Sequence, residues 1–343
     1  MSSTPSSSNS KNSWGPLGSP RVSSPKETKA NLTRKSLLIG ERIVEKIVSL
    51  AGISSIVIIA LIFIFLFKEA FYFFTTASPL ELIGKVFYDD WLEKNIFTMM
   101  WQPVSEVAPK YSLIPLICGS FLVSFPAIIM ATVIGVGCAI YLSEIASNRT
   151  REILKPTIEL LAGIPSVVLG FLMLVLIATF VQDTFHTKFR LNAFVGAVGI
   201  ALATLPMIIT LSEDALRAVP SELRNASYAL GATKWQTILQ TTVPAAISGI
   251  GASIILGFGR ALGETMVVLM ATGNAAIITG NMFSSVRTMT ATLAAELGEV
   301  AQGEEHYYAL FVVGAVIFIF TFILNIAAEI FLNNARKKLR SSV

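Results

Sequence analysis

An arginine and a glutamate lie four residues apart in an apolar stretch of the chain. Arg260 and Glu264 belong to PAAISGIGASIILGFGRALGETMVVLMATG, which begins at Pro244. Arg260 follows Pro244 by 16 residues, about 24 Å along a helix, so it should lie well inside a bilayer. Ionisable residues at such depth usually face a cavity or a pathway, and an arginine fork is a natural partner for an oxyanion. With Glu264 at i+4 on the same helical face, the pair predicts an anion pathway.

Structural roles are the alternative for these charges and for the small residues around them. Arg260 and Glu264 would then form an ion pair within one helix, or the arginine would snorkel outward. Gly259 and Gly263 form a small-xxx-small face one residue before the charges, which predicts close packing by another helix. Pro165 and Pro206 each break a helical hydrogen bond inside an apolar stretch, which suits a cavity lining and a packing kink equally well.

The elements that must position these residues are membrane helices. The 343-residue chain is 53% hydrophobic and only 14% charged, whereas soluble domains carry about 25% charged residues. Six stretches reach the roughly 20 residues that a span needs, at about 47–67, 112–142, 154–181, 191–212, 242–271 and 308–332. The sequence therefore predicts an all-α membrane protein with six transmembrane helices.

The basic residues indicate how these helices are oriented. Placing both termini inside puts eighteen Lys and Arg on the cytoplasmic side and seven outside, as the positive-inside rule requires. Residues 1–35, rich in Ser and Pro, are predicted to be a disordered cytoplasmic tail without a secretory signal. Residues 36–110 should hold the first helix and an outer loop, 111–335 a core of five helices, and 336–343 a basic cytoplasmic end.

Several function classes are excluded by composition. Cys118 and Cys138 are 20 residues apart on one predicted helix, about 30 Å, so they cannot pair with each other. Two histidines without neighbouring Cys or Asp clusters provide little material for a metal site. The net charge of +4 reflects the cytoplasmic loops and predicts no nucleic-acid partner.

A short amphipathic helix is predicted between the fourth and fifth spans, at about 218–235. The loop reads VPSELRNASYALGATKWQTILQTTVPAA. Pro220 and Ser221 suit a helix start, Gly231 suits its end, and apolar residues recur at helical spacing at Leu223, Ala226, Ala229 and Leu230. From periodicity alone, a helix lying on the lipid surface is an equal alternative.

The same loop resembles the cytoplasmic loop of binding-protein-dependent ABC transporter permeases. Their pattern is Glu-Ala-Ala, three residues, Gly, then nine residues to an Ile-x-Leu-Pro ending; here Asn225-Ala226-Ser227 precedes Gly231 and Pro244 at the same spacing. Asn225 stands for Glu, Thr241 for Ile and Val243 for Leu. In that family the helix docks into a groove on an ATPase subunit. The resemblance implies a coupling role for Arg224, Asn225, Ala226, Ser227, Gly231, Lys234 and Pro244, with Arg224 and Lys234 facing acidic groups on the ATPase.

Two further strings are similar to phosphate-specific ABC permeases. GRALGETM ends at Met266, as in the PstC type, and ELLAGIPSVVLGF contains Pro165. The resemblance runs from about 110 to 335 and implies the type I ABC importer permease fold in a bacterial plasma (inner) membrane. It also implies that Arg260 attracts phosphate, while Glu264 orients the guanidinium or tempers its charge.

The implied partners are a homologous PstA-type permease, two ATPase subunits, an external phosphate-binding protein and membrane lipid. The sequence contains no G-x-x-x-x-G-K-[ST] phosphate loop. We therefore expect no catalytic residue, metal or cofactor in this chain, with ATP and Mg on the partner ATPase.

Other functions stay open at this point. A permease for sulfate, molybdate or phosphonate would use the same arginine chemistry. A channel or secondary carrier would leave the loop spacing unexplained, and an intramembrane protease using Ser253 would need a base within the membrane.

Outside the spans, Lys155 and Glu159 are interpreted as a surface ion pair. The outer segment 274–307 is interpreted as a solvated loop, with contact to a binding protein as the alternative.

Overall fold

The computed structural model describes residues 25–89, 94–105 and 109–341. These residues form twelve α-helices and four short β-strands. The helices are α1 Pro25–Thr76, α2 Ile114–Ile140, α3 Asn148–Ala162, α4 Ser166–Leu172, α5 Ala178–Phe185, α6 Ala193–Arg217, α7 Ser221–Ala229, α8 Lys234–Thr237, α9 Val243–Leu262, α10 Met266–Ala271, α11 Met289–Glu296 and α12 Glu305–Ser341. The strands are β1 Lys85–Asp89, β2 Lys94–Thr98, β3 Trp101–Gln102 and β4 Lys110–Tyr111.

Six helical segments are long and apolar enough to cross a membrane, which confirms the predicted number. They are Val44–Thr76, Ile114–Ile145, Ser166–Phe185, Ala193–Arg217, Lys234–Leu262 and Glu305–Phe331. Three of these spans contain a single π-helical turn. The turn Tyr141–Ile145 ends the second span, and the turns Met173–Ile177 and Ile238–Thr242 lie inside the third and fifth spans. The protein is therefore a multi-pass membrane protein.

The third span starts at Ser166, so the predicted start at about 154 is wrong. Helix α3 ends at Ala162, and Pro165 has φ −58° and ψ 136° just before α4. A proline lacks the N–H that would continue the hydrogen bonds, and it disfavours a helical conformation at Ile164. The break leaves α3 as a separate amphipathic helix with no buried residue.

Both ends of the chain are more helical than predicted. Helix α1 begins at Pro25, inside the predicted tail, because proline suits a first helical turn and the following Lys, Glu and Ala residues favour helix. Residues 1–24 of that tail lie outside the described residues. Helix α12 continues to Ser341 through most of the predicted basic end. The described residues divide into two compact units, with the boundary between Phe63 and Ile64.

The connection between the first two spans contains two antiparallel strand pairs that the all-α prediction missed. Lys85 lies opposite Thr98 in the first pair, and Trp101 lies opposite Tyr111 in the second. Their sequences are rich in aromatic and β-branched residues, which fit a half-buried pleated surface. Trp101 and Tyr111 are both buried and pack edge to face.

The core of the second unit is formed by α2, α6, α9 and α10, which approach closely through small residues. A Cβ added to Gly249 of α9 would clash with the Cβ of Ala215 of α6. One helical turn further along α9, Ser253 donates to or accepts from the hydroxyl of Ser212 at 2.7 Å, and it bonds the Ile250 carbonyl. Ser253 therefore joins two helices, and neither of these partners in the described part of the chain is a base that could activate it as a nucleophile.

We expect Gly249→Ala to destabilise the protein, because the added methyl group overpacks the α6–α9 contact at a cost of about 1–3 kcal/mol. Thermal unfolding of the purified protein in detergent would measure the loss. Gly52→Ala is the matched control, since nothing lies within 4 Å of a Cβ at Gly52. Equal midpoints for the two variants would contradict the packing account.

Candidate functional site

The fifth span is broken directly after Arg260. Helix α9 ends at Leu262, and α10 begins at Met266, so the predicted continuous helix over 242–271 is wrong. The carboxylate of Glu264 accepts hydrogen bonds from the backbone N–H groups of Thr265 (3.2 Å) and Val267 (3.4 Å). A side chain that satisfies these N–H groups replaces the helical carbonyls as their acceptors, and the chain can leave the helix there.

The break also corrects the predicted relation between the two charges. Glu264 lies beyond the end of α9 and does not share a helical face with Arg260. Its carboxylate serves the backbone at the start of α10. Within the part of the chain that the structure describes, Arg260 forms no hydrogen bond or ion pair, and its side chain is exposed.

The position of Arg260 can be related to the second span through a hydrogen bond of its neighbour Ala261. Ser124 of α2 donates to the carbonyl of Ala261, next to Arg260. Ser124 is the eleventh residue of α2, which begins at Ile114, so it lies about 15 Å along that helix. The break after Arg260 therefore lies beside the second span, ten residues after the start of α2.

Helix α11 also contributes polar groups beside the break. The Thr290 hydroxyl donates to the Glu264 carbonyl at 2.6 Å, and the Met289 N–H donates to the Ser120 hydroxyl at 2.9 Å. Sequence reasoning missed Thr290 and Ser124. A signal exists for α11, because Thr288 stands where an N-cap residue belongs and accepts from the Ala291 N–H.

One carboxylate anchors the far end of α11. Glu296 accepts from the Arg287 guanidinium, from the Trp101 indole N–H at 2.9 Å and pairs with His306 Nε2 at 3.0 Å. These four side chains, which we call the Glu296 cluster, line a cavity of about 460 Å³. The interpretation of 274–307 as a solvated loop is therefore wrong, since Arg287 is bonded on both sides, to Glu296 and through Nε to the Asn274 carbonyl.

Tyr111 packs against the Glu296 cluster through His306. Burial raises the pKa of the Tyr111 phenol strongly, and the carboxylates of Glu305, Glu81 and Glu304 raise it further. The phenol therefore stays neutral at any physiological pH and adds no charge to the cluster.

The predicted packing residues differ in what they contact. A Cβ at Gly259 would lie 3.7 Å from the Asn325 side chain of α12, while Gly263 is the exposed end of α9. Gly263 therefore does not form the predicted packing face, because the helix stops there. Pro206 is buried inside a continuous α6, whereas Pro165 separates α3 from α4.

The predicted amphipathic helix exists as α7. Gly231 has φ +85°, a conformation that favours glycine. The N–H of Ala232 bonds the Ser227 carbonyl, and the N–H of Gly231 bonds the Tyr228 carbonyl, which together form a Schellman motif. Ser227 also bonds the Thr237 hydroxyl of α8 at 3.0 Å.

The outer surface of this loop is apolar and open. Leu230 is 89% exposed and Trp235 is 60% exposed, and Asn225, Ala226, Lys234 and Pro244 are exposed as well. Arg224 differs, because its guanidinium bonds the carbonyls of Leu216 and Val219 and the carboxylate of Glu144. The structure thus gives Arg224 partners in its own chain, where the sequence suggested a contact with another subunit.

Lys155 likewise has partners other than the predicted Glu159. Its ammonium lies 3.1 Å from buried Glu213 and 3.8 Å from Asp214. Arg217 also pairs with Glu213, at 3.3 Å. The two Lys155 pairs join α3 to the end of α6, whereas the Arg217 pair lies within α6.

Comparison with known proteins places this arrangement in a family. The model of the binding-protein-dependent transport system inner membrane component matches residues 131–340, which include the break and α7. The chain belongs to this family. It is therefore a transport permease component.

Two relatives that are named as permease proteins support this family assignment. The permease is 34% identical over 240 residues to the probable ABC transporter permease protein YqgH of Bacillus subtilis, covering 70% of the permease and 77% of that relative. It is 34% identical over 243 residues to the phosphate transport system permease protein PstC of Mesorhizobium japonicum, covering 65% and 73%.

Solved structures confirm the ABC importer permease fold. The inward-facing MetNI methionine ABC transporter aligns with a TM-score of 0.51 at 17% identity, covering 65% of the permease and 95% of that chain. The bacterial alginate ABC transporter in complex with its pentasaccharide-bound periplasmic protein aligns with a TM-score of 0.50 at 14% identity, covering 88% and 94%.

We expect Glu296→Gln to lower the stability of the permease by on the order of 1–3 kcal/mol, because Arg287 then lacks its charged acceptor. Thermal unfolding in detergent would detect the change. Glu299→Gln, at an exposed position one turn beyond Glu296, should unfold at the wild-type temperature. An unchanged midpoint for Glu296→Gln would show that the cluster does not hold α11.

Proposed function

We propose that this chain is the transmembrane channel subunit of an ATP-driven importer of inorganic phosphate. The observation that carries the proposal is the exposed Arg260 beside the break in the fifth span. Curated relatives bear the name phosphate transport system permease protein PstC. No observation favours another oxyanion over phosphate.

The chemistry of the break suits an anion that must be bound and then released. A guanidinium binds phosphate oxygens through charge-assisted hydrogen bonds, and the low dielectric around it strengthens them. An arginine alone would hold a dianion too tightly for transport. The Glu264 carboxylate, four residues along the chain, lowers that affinity through its charge and without touching the guanidinium.

The exposed arginine needs a second subunit. A charge in the middle of a membrane helix is costly against lipid, by on the order of 2.5–3.5 kcal/mol on insertion scales. A homologous permease of the PstA type is expected to close the pathway over Arg260 and to keep it in water. An external phosphate-binding protein would deliver the anion.

Two ATPase subunits, which carry the ATP and Mg, would drive the transport. The exposed surface of α7 and α8, with Leu230 and Trp235, has the apolar character of a helix that docks into a groove. This role places α7 in the cytoplasm, with both termini on the same side of a bacterial plasma membrane. The excess of basic residues on that side supports the orientation.

Arg260→Ala is expected to abolish ATP-driven phosphate uptake while the complex still assembles, because the anion loses its charged partner in the membrane. Proteoliposomes that hold the permease with its co-purifying subunits and binding protein would be tested with radiolabelled phosphate, with and without ATP. Lys188→Ala, an exposed position outside the spans, is the control and should transport normally.

The same assay separates the alternatives. Competition by sulfate or molybdate would retain the ABC permease and overturn phosphate as the substrate. Uptake without ATP would indicate a channel or secondary carrier, and an active Arg260→Ala complex would remove the arginine from the pathway.

Gly231→Ala is expected to weaken coupling, because the added Cβ opposes the positive φ that ends α7 at a cost of about 1 kcal/mol or more. The phosphate transported per ATP hydrolysed should fall in proteoliposomes. Gly298→Ala is a suitable control, since it has open space around a Cβ and no positive φ. Wild-type coupling in Gly231→Ala would contradict the role of this turn.

A further inference from the structure

The Arg224 side chain joins α7 to two membrane spans at once. Nη1 donates to the Val219 carbonyl at 2.7 Å, and Nη2 donates to the Leu216 carbonyl and to Glu144 Oε1, each at 2.8 Å. Leu216 belongs to the last turn of α6, and Glu144 lies in the π-helical turn that ends the second span. The Arg224 side chain is only 20% exposed.

The α6 side of this contact is favourable for a cation. The last carbonyls of a helix have no partner within the helix and carry its negative dipole end. Arg224 binds one such carbonyl, at Leu216, and also the carbonyl of Val219, which lies just beyond the end of α6. Helix α7 is thereby fixed to the end of α6.

The Glu144 side of the contact is held in place as well. The Ser143 hydroxyl bonds Glu144 Oε1 at 3.2 Å. Arg151 of α3 donates to the carbonyls of Leu142 and Ser143, at 2.6–3.0 Å. The carboxylate that receives Arg224 therefore belongs to a turn already fastened to α3.

The opposite end of α7 is attached to the fifth span. Ser227 bonds Thr237 at the end of α8, and α8 continues through a π-helical turn into α9. The fifth span carries Arg260 near its other end. A displacement of α7 thus reaches α9 through Ser227, and it reaches α2 and α6 through Arg224.

We propose that Arg224 and Glu144 form a positioning strut that transmits movement of α7 to the second and fourth spans together. This inference rests on the proposed function, in which ATPase subunits move α7. The strut moves these spans together with the fifth span. The polar groups beside Arg260 then shift as one unit, because Ser124 of α2 is hydrogen-bonded to the Ala261 carbonyl of α9. Neither residue contacts the anion.

The test measures ATP hydrolysis and phosphate uptake in the same proteoliposomes of the complete complex. Arg224→Ala and Glu144→Gln should each keep assembly and ATP hydrolysis while phosphate uptake per ATP falls about tenfold or more, the range in which a lost charge-assisted contact acts. The double variant should be no worse than either single one, because both remove the same contact. Arg149→Ala, an exposed arginine of α3, should keep the wild-type ratio.

A conservative variant distinguishes a loss of coupling from a loss of folding. Arg224→Lys keeps a charge for Glu144 but cannot reach all three acceptors with one planar fork, so it should assemble and couple at an intermediate ratio. Failure of both Arg224→Ala and Arg224→Lys to assemble would reduce the pair to a folding contact and overturn the strut.

The remaining outcomes separate the strut from the proposed function. Wild-type phosphate uptake that requires ATP, with an unchanged ratio in Arg224→Ala and Glu144→Gln, would overturn the strut alone. Additive losses in the double variant would also overturn it. Wild-type complexes that move no phosphate would overturn the proposed function first, and the strut with it.

Discussion

The fifth span stops directly after Arg260, and the backbone groups that lose their helical partners there must find others, which organises the permease around the break. Arg260 lies at the end of α9, where the helix stops and backbone groups would otherwise face hydrocarbon. Four of them have partners close by: Ser124 bonds the Ala261 carbonyl, Thr290 bonds the Glu264 carbonyl, and the Glu264 carboxylate accepts from two N–H groups. Irregular backbone inside a membrane protein is tolerated when such partners satisfy it.

The partners of the break are themselves held from both faces of the membrane domain. Thr290 depends on α11, whose far end is anchored by Glu296. Ser124 depends on α2, whose opposite end is fixed through Glu144 and Arg224. The two anchors have opposite charges. The Glu296 carboxylate bonds three side chains from different parts of the chain, whereas the Arg224 guanidinium donates hydrogen bonds to three acceptors. Both place one charged group where several elements end.

Much of this architecture could be predicted from the sequence because it depends on local signals. Six apolar stretches gave six spans, and Gly231 marked the end of α7. The break after Arg260 could not be predicted, because hydrophobic periodicity continues from α9 into α10 and the acceptor that ends the helix is a side chain. The Glu296 cluster was also missed, since Trp101 and Glu296 are 195 residues apart. Long-range pairing of this kind leaves no spacing for a motif to detect, and Arg224 was assigned to a partner for the same reason.

The separation between Trp101 and Glu296 has a consequence for biosynthesis. Ribosomes add about 5–20 residues each second, so the β3 strand waits roughly 10–40 s for its partner carboxylate to be made. Until α11 and α12 have inserted, the indole of Trp101 has neither Glu296 nor His306 beside it. The strand pairs between the first two spans must therefore persist as an unfinished subdomain while the five remaining spans enter the membrane. Completion of the Glu296 cluster is one of the last events in the maturation of this chain.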